Sequence, residues 1–141
     1  MSRPKYETEE NLNNEEDVKQ IIEYVWTCEC KKLPTKDVLD FAMCRNGRVE
    51  GWLEIKCRKI SFKNSHDYMI SLYKIKEARE LVRETNLPFF LVVKFTDGLY
   101  YYKDEGETHR LNWGGRFKTA RDSQDQEPCY YININLFTKI E

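Results

Sequence analysis

The chain has 141 residues and a formal net charge of −1, with 40% hydrophobic and 33% charged side chains. This length and apolar content suit one soluble domain with its own core. A net charge near zero excludes a uniformly basic surface that binds nucleic acid without selection. No run approaches the roughly 18 apolar residues of a membrane span, and the first residues contain no apolar signal region. We therefore expect a cytoplasmic protein without membrane contact.

The N-terminal part of the chain predicts a tail followed by a helix. Residues 1–13 are polar and are predicted to be disordered or frayed, which leaves residues 14–141 as a single domain. Asn14 can cap a helix with acids in its first turn, and Val18 and Ile22 belong to its apolar stripe. A short strand is then predicted before Pro34.

Residues 38–58 are the most informative segment and predict one β-hairpin. Asn46-Gly47 lies between two segments that alternate apolar with polar residues, a strong local signal for a hairpin. A two-residue turn there would mix charged with apolar residues on one face. A three-residue loop that pairs Cys44 with Arg48 instead puts the charged and the apolar residues on opposite faces, so we predict this register. It places the following apolar residues on one face: Leu39, Phe41, Met43, Val49, Leu53 and Ile55.

The opposite face of this hairpin carries residues that can do chemistry. Asp40 and Glu54 could hold Mg²⁺ or Mn²⁺ beside a phosphate, because hard cations prefer oxygen ligands. The main-chain carbonyl of Ile55 could add a third oxygen, while Lys56 could orient a water or offset developing negative charge. An ordinary solvated strand face with cross-strand ion pairs would present the same residue types.

Asp40, followed by the hairpin and then by Glu54-Ile55-Lys56, resembles the motif of the PD-(D/E)XK nuclease superfamily. This superfamily includes restriction enzymes and archaeal-type Holliday junction resolvases. The resemblance covers about residues 14–95 and implies an α/β protein with a restriction endonuclease-like fold. In that fold a mixed twisted sheet, here of about five or six strands with an αβββαβ core, is flanked by helices. The chain departs from the motif at Leu39, where the family has a proline.

The same resemblance implies a function and further site residues. It implies a Mg²⁺- or Mn²⁺-dependent DNA endonuclease, with Asp40, Glu54 and Lys56 as the catalytic residues. In resolvase-like relatives an acid of the first helix reaches the metal, which makes Glu23 a candidate ligand. An exposed helix glutamate is the alternative for Glu23.

Charge is distributed unevenly along the chain. Residues 1–17 contain two basic and six acidic side chains, whereas residues 45–63 contain six basic and two acidic ones. Basic residues beside an acidic metal site suit a phosphate-backbone substrate, although an ordinary lysine-rich surface would show the same pattern. The predicted DNA-binding residues are Arg45, Arg48, Arg58, Lys59, Lys63, Lys74 and Arg116.

The C-terminal half predicts a helix and further strands. A helix capped by Asn64 or Ser65 should run to about Thr85, with Asn86 near its end. The apolar run Phe89-Phe90-Leu91-Val92-Val93 is typical of a strand covered on both faces. Asp97-Gly98 then predicts a turn into an antiparallel neighbour. Residues 103–128 show no periodicity and are predicted as an irregular segment bordering the substrate groove, before a last strand around Cys129–Ile134.

Two alternatives to an enzyme remain open at this level, and assembly is a separate prediction. A nucleic-acid-binding module could keep the fold without turnover, and a protein-interaction domain would suit the near-neutral charge and nine tyrosines. One Asp-Glu-Lys site cuts one strand, so paired cuts predict a homodimer. Tyr100–Tyr102 with Tyr130 and Tyr131 would supply aromatic interface surface, or would pack in the core.

Overall fold

The computed structural model describes residues 15–34, 39–115 and 126–140. Within them lie two α-helices, α1 (Glu15–Val25) and α2 (Leu72–Thr85), and a 3-10 turn at Ile134–Leu136. The strands are β1 (Glu29–Lys32), β2 (Phe41–Arg45), β3 (Arg48–Cys57), β4 (Asp67–Ser71), β5 (Phe89–Phe95), β6 (Gly98–Lys103), β7 (Arg110–Gly115), β8 (Gln126–Asn133) and β9 (Thr138–Lys139). The predicted tail and the predicted cap at Asn14 lie outside the described residues.

A mixed six-stranded sheet in the order β1-β2-β3-β5-β6-β9 forms the centre of the protein. β3 and β5 run parallel, and all other neighbours in this sheet are antiparallel. A parallel pair needs a long crossover connection, which here contains β4 and α2. The predicted mixed α/β sheet of about five or six strands is confirmed.

Each face of this sheet is covered by one helix. On the first face, α1 buries Val18 and Ile22 in a cluster with Leu53 and Ile55 of β3. On the second face, α2 buries Ile75 and Ala78 in a separate cluster. Successive residues of β5 belong alternately to the two clusters, so this strand is buried on both faces, as its continuous apolar run predicts.

The second helix begins later than the sequence predicts. Ser71 is its N-cap and accepts a hydrogen bond from the Tyr73 N–H at 3.2 Å. The preceding residues form β4, in which buried Tyr68 and Ile70 alternate with exposed Met69. The predicted end is confirmed, because Asn86 adopts the left-handed conformation and its N–H donates to the Val82 carbonyl.

A second sheet of three strands, in the order β4-β8-β7, packs beside α2. The sequence predicts irregular structure for residues 103–128, and this is wrong for Arg110–Gly115, which form β7. Apolar Leu111 and Trp113 alternate with polar residues here, but the pattern is too short to predict a strand, and the segment is ordered by pairing with β8. Residues 116–125 lie outside the described chain.

The hairpin has a different register from the predicted one. Arg45 pairs with Arg48 across a two-residue turn, in which Asn46 and Gly47 have φ values of 53° and 76°. These are the positive values that a type I′ turn requires. A bulge then shifts the pairing between Met43 and Cys44 and leaves Glu50 as the extra residue of β3. The predicted three-residue loop is therefore wrong.

The bulge changes which side chains share a face, and most of the predicted grouping survives it. Phe41 and Met43 lie in the same buried cluster as Leu53 and Ile55, as predicted. Two members of the predicted apolar face lie elsewhere: Val49 is exposed, and Leu39, which precedes β2 in a bend, packs in the cluster on the opposite face.

The tyrosines of β6 are partly or fully buried. Tyr100 stacks on Phe62 with the ring centroids 3.6 Å apart, and Tyr102 is buried. β9 pairs with β6 along the edge that the sequence assigned to an interface. Of the tyrosines in the predicted interface, Tyr102 belongs to the core, and the others are half-buried. In the described part of the chain, we find no helix with the length and apolar content needed to span a membrane.

Candidate active site

Asp40 lies immediately before β2 and is held against β3. Its carboxylate oxygen Oδ2 accepts a hydrogen bond from the Ile55 N–H at 3.1 Å. Its main-chain carbonyl accepts from the Leu33 N–H at 2.9 Å. Since the chain leaves the β2 pairing at this point, the Asp40 side chain takes the place of the next strand residue beside Ile55.

Glu54 points to the face of the sheet that α2 covers, and its side chain is fully buried. Two ammonium groups contact oxygen Oε2, that of Lys74 at 2.6 Å and that of Lys56 at 3.4 Å. Among the described residues, oxygen Oε1 has no hydrogen-bond partner. Burial raises the pKa of this carboxyl, and the hydrogen bond from Lys74 opposes that rise.

Asp40 and Glu54 are close enough to influence each other, because the charge of Asp40 also raises the pKa of Glu54. A third ammonium, that of Lys32, lies 3.8 Å from Asp40 Oδ1. Lys32 lies in a short strand whose pairing partner is not evident from the sequence, so no local signal identifies it. Two carboxylates are thus held in place by three lysines.

The predicted residues Asp40, Glu54, Ile55 and Lys56 come together in this way. Ile55 directs its N–H to Asp40, and the N–H and C=O of one strand residue point to the same neighbour. The Ile55 carbonyl therefore faces the Asp40 side. An acceptor such as Glu54 Oε1, buried without a donor, fits a cation better than it fits a closed core. The residues present are compatible with a hard divalent ion.

Glu23 does not join this group. Its oxygen Oε2 accepts the Cys30 N–H at 2.8 Å, and it lines a cleft of about 420 Å³ together with Thr27, Cys44 and Asn46. Glu23 lies in the last turn of α1, beside the turn end of the hairpin, whereas Glu54 lies further along β3. We therefore leave Glu23 out of the proposed metal site.

The acids in the first turn of α1 lie near the end of β3. Burial raises the pKa of Cys57 to about 11, and the charges of Glu15 and Asp17 add to this effect. Cys57 directly follows Lys56 in β3. Asp17 is buried, and neither of its carboxylate oxygens has a hydrogen-bond partner in the part of the chain that the structure describes. From the sequence alone, these acids are explained as favourable charges at the start of a helix.

Arg45 and Arg48 lie at the turn end of the hairpin. Glu54 comes six positions after Arg48 in β3, which corresponds to about 20 Å along the strand. Arg45 is also engaged, since it donates to the carbonyls of Trp26 and Thr27 and forms a 2.8 Å ion pair with Glu50. These two arginines are not brought to the carboxylates.

The segment from Arg58 to Lys63, which we call the basic loop, continues directly from β3 and Lys56. Asp97 anchors it by accepting the N–H groups of Phe62 and Lys63 at 2.7 and 3.1 Å. These hydrogen bonds lower the pKa of Asp97. Lys59 and Lys63 are exposed, and the Arg58 guanidinium lies over the ring of Tyr68. Of the remaining predicted DNA contacts, Lys74 binds Glu54, and Arg116 lies outside the described residues.

A second cluster of residues that could bind a metal lies elsewhere in the protein. Among the described residues, Asp104, Glu107 and His109 bring their ligand atoms within 4.8 Å of one another. The hydroxyl of Tyr102 already contacts all three, at 3.1 Å from Asp104 and 2.9 Å from His109. Arg79 donates two hydrogen bonds of 2.9 Å to Asp104. Because these donors occupy the acids, the group is a closed network rather than an open metal site.

The fold and these residues can now be compared with known proteins. A mixed sheet that presents Asp, Glu-x-Lys and a flanking helix on each face is the arrangement of PD-(D/E)XK nucleases. A family model described as "Phage putative PDDEXK endonuclease" matches residues 1–140. The chain therefore belongs to this PDDEXK endonuclease family, as the motif predicted.

One solved structure confirms the fold. Hjc from Archaeoglobus fulgidus, a Holliday junction resolvase from an archaeal hyperthermophile, matches with a TM-score of 0.51 and 14% sequence identity. The match covers 86% of this chain and 94% of the resolvase chain. The protein thus has the predicted restriction endonuclease-like fold. No curated protein sequence matches the chain.

Proposed function

We propose that the protein is a divalent-metal-dependent DNA endonuclease, with Asp40, Glu54 and the Ile55 carbonyl as the ligands of Mg²⁺ or Mn²⁺. The observation that carries this proposal is the pair of neighbouring carboxylates, one of which keeps a buried oxygen without a donor. Family membership supports the nuclease activity. Beyond family membership, we propose three things: that the substrate is DNA, that the activity requires a divalent metal, and that these residues bind the metal.

Each residue has a distinct role in the proposed hydrolysis. A divalent ion bound here would polarise the scissile phosphate as a Lewis acid. Asp40 is held in position by the Ile55 N–H, so it needs little rearrangement to act as a ligand. Lys56 is one-third exposed and lies 3.4 Å from Glu54, where it can orient the attacking water and offset negative charge at the phosphate.

The basic loop and Lys32 are the proposed contacts to the DNA backbone. They flank the two carboxylates on exposed surface, so they can hold phosphates without closing the metal site. We also propose that the substrate is a branched or otherwise non-duplex DNA structure, a proposal suggested by the likeness to a Holliday junction resolvase. The cytoplasmic location remains a prediction.

Calorimetric titration with Mn²⁺ and a nicking assay test the proposal. Asp40→Asn and Glu54→Gln should each weaken metal binding by at least about tenfold and abolish nicking, because each removes a charged ligand. Lys56→Ala should keep metal binding and lose most nicking. His109→Gln is the matched control, since it alters the second cluster of residues that could bind a metal and should leave the affinity for Mn²⁺ unchanged.

Two results would contradict the proposed site. Unchanged Mn²⁺ affinity in both carboxylate variants would show that the metal does not bind at Asp40 and Glu54. A loss of affinity in His109→Gln alone would show that it binds at the network around Tyr102.

A further inference from the structure

Lys74 makes the shortest contact to the buried Glu54 carboxylate. It comes from α2, whereas Glu54 and Lys56 lie on β3, and its ammonium is 2.6 Å from Glu54 Oε2. The side chain of Lys74 is 24% exposed, so its end reaches the surface. A lysine that joins two elements across a core normally compensates a charge that cannot reach water.

A divalent ion and this ammonium group compete for the same carboxylate. Both are cations, and like charges a few ångströms apart repel strongly where water is scarce. A metal that binds Glu54 must therefore weaken or displace the Lys74 contact. Lys74 can leave, because its flexible four-carbon stem and partial exposure allow the ammonium to turn toward solvent while α2 stays in place.

Lys74 and Lys56 contact the same oxygen of Glu54, at 2.6 and 3.4 Å. A phosphate group close enough to contact Lys56 would therefore also be within reach of Lys74. Phosphate oxygens offer an ammonium group a charged acceptor in place of the one it has lost.

We propose that Lys74 is the counterion of Glu54 in the metal-free protein, and that metal binding releases it toward the DNA phosphate. This inference rests on the proposed function. Lys74 is then a positioning residue that couples metal binding to DNA binding, because a bound metal frees the ammonium group of Lys74 to contact DNA. When no metal is bound, Lys74 compensates the buried charge of Glu54.

Calorimetry with Mn²⁺ in the absence of DNA measures the competition directly. Lys74→Met should bind Mn²⁺ about tenfold more tightly than the wild type at pH 8, because the metal no longer displaces an ammonium group. Lys74→Gln, which keeps a hydrogen-bond donor without the charge, should give an intermediate affinity. Lys76→Met is the matched control, since Lys76 is exposed on the same helix, and its affinity should equal that of the wild type.

Thermal unfolding provides a second readout that does not depend on cleavage. Without metal, Lys74→Met should melt below Lys76→Met, because Glu54 has lost its nearest cation. Mn²⁺ should raise the melting temperature of Lys74→Met more than that of the wild type. A Lys74→Met variant that folds only with Mn²⁺ would give the same support.

The outcomes separate this inference from the proposed function. Equal or weaker Mn²⁺ affinity in Lys74→Met and Lys74→Gln, with binding still lost in Asp40→Asn, would overturn the role of Lys74 and leave the metal site standing. Wild-type protein that binds no Mn²⁺ would overturn both.

Discussion

Glu54 is a buried charge that the fold tolerates at a cost. Its side chain is inaccessible to solvent, and one carboxylate oxygen has no partner among the described residues. The two lysines that contact it retain access to water, so they can be solvated if the carboxylate is removed. Such an arrangement costs stability and is retained where function requires it.

Replacing Glu54 by methionine should therefore stabilise the metal-free protein while removing the metal site. We expect Glu54→Met to raise the free energy of unfolding at pH 8 by about 1–2 kcal/mol, because it removes a fully buried charge and leaves two lysines that can be solvated. Chemical denaturation measures this change. Glu50→Met, at an exposed glutamate of the same strand, should stay within about 0.5 kcal/mol of the wild type.

The stabilisation by Glu54→Met should also depend on pH in a defined direction. Burial raises the pKa of Glu54 in the folded protein above its ordinary value, so the folded state binds a proton more tightly than the unfolded state. The penalty for burying the carboxylate is thus fully present above the folded pKa, and it fades as the pH falls through that value. The difference between Glu54→Met and the wild type should shrink between pH 8 and pH 4. A difference that grows on acidification would contradict this account.

At the level of elements, the basic loop depends on a contact from a distant turn. Asp97, in the turn between β5 and β6, accepts two main-chain N–H groups of this loop. Phe62 adds the stacking contact with Tyr100. The loop is therefore fixed to the central sheet at its C-terminal end, which holds Lys59 and Lys63 beside the end of β3.

Asp97→Ala should weaken DNA binding although it removes a negative charge. The charge change alone would strengthen binding to a polyanion. Loss of the two hydrogen bonds, in contrast, frees the loop and so weakens DNA binding. We expect a fewfold lower affinity, measured by fluorescence anisotropy with EDTA present to prevent cleavage. Glu105→Ala, which removes an exposed acid from another loop, should bind DNA as tightly as the wild type or more tightly. Equal affinities in the two variants would exclude a positioning role for Asp97.

At the level of the whole molecule, paired cuts in DNA require two sites, and the homodimer remains a prediction. Tyr102 is buried and Tyr100 and Tyr101 are half-buried, so we place the proposed interface on a more exposed surface. Leu111 and Trp113, on the edge strand β7, are 56% and 61% exposed. Apolar side chains on an edge strand are suited to association with a second copy.

Light scattering at micromolar concentration should show a dimer. Trp113→Glu should lower the dimer fraction, because it places a charge in the apolar edge. Tyr24→Glu changes an exposed aromatic residue of α1 in the same way and should leave assembly unchanged. A strict monomer that still makes paired cuts would contradict the prediction, whereas a monomer that only nicks DNA would revise the substrate.

Local signals in the sequence determined which residues share a face. The Asn46-Gly47 dipeptide predicts the turn, and the alternation on either side predicts that Asp40 and Glu54 lie together even though the pairing differs from the expected one. This works because the side-chain period of a strand is two, so a shift of two residues keeps the paired side chains on their faces. The exceptions are Val49, beyond the bulge, and Leu39, before β2. The continuous apolar run of β5 and the cap at Asn86 are equally local and were predicted.

Tertiary structure decided which elements supply the partners of these residues. Lys74 reaches Glu54 across twenty residues of chain, and Asp97 reaches the basic loop across thirty-five. Glu23 turns to the Cys30 main chain instead of the carboxylates, because it lies at the far end of α1. Such contacts depend on how far each helix extends over the sheet and on which strands are adjacent. The sequence specifies these contacts only through the packing of the whole core, so the local periodicity of apolar residues does not predict them.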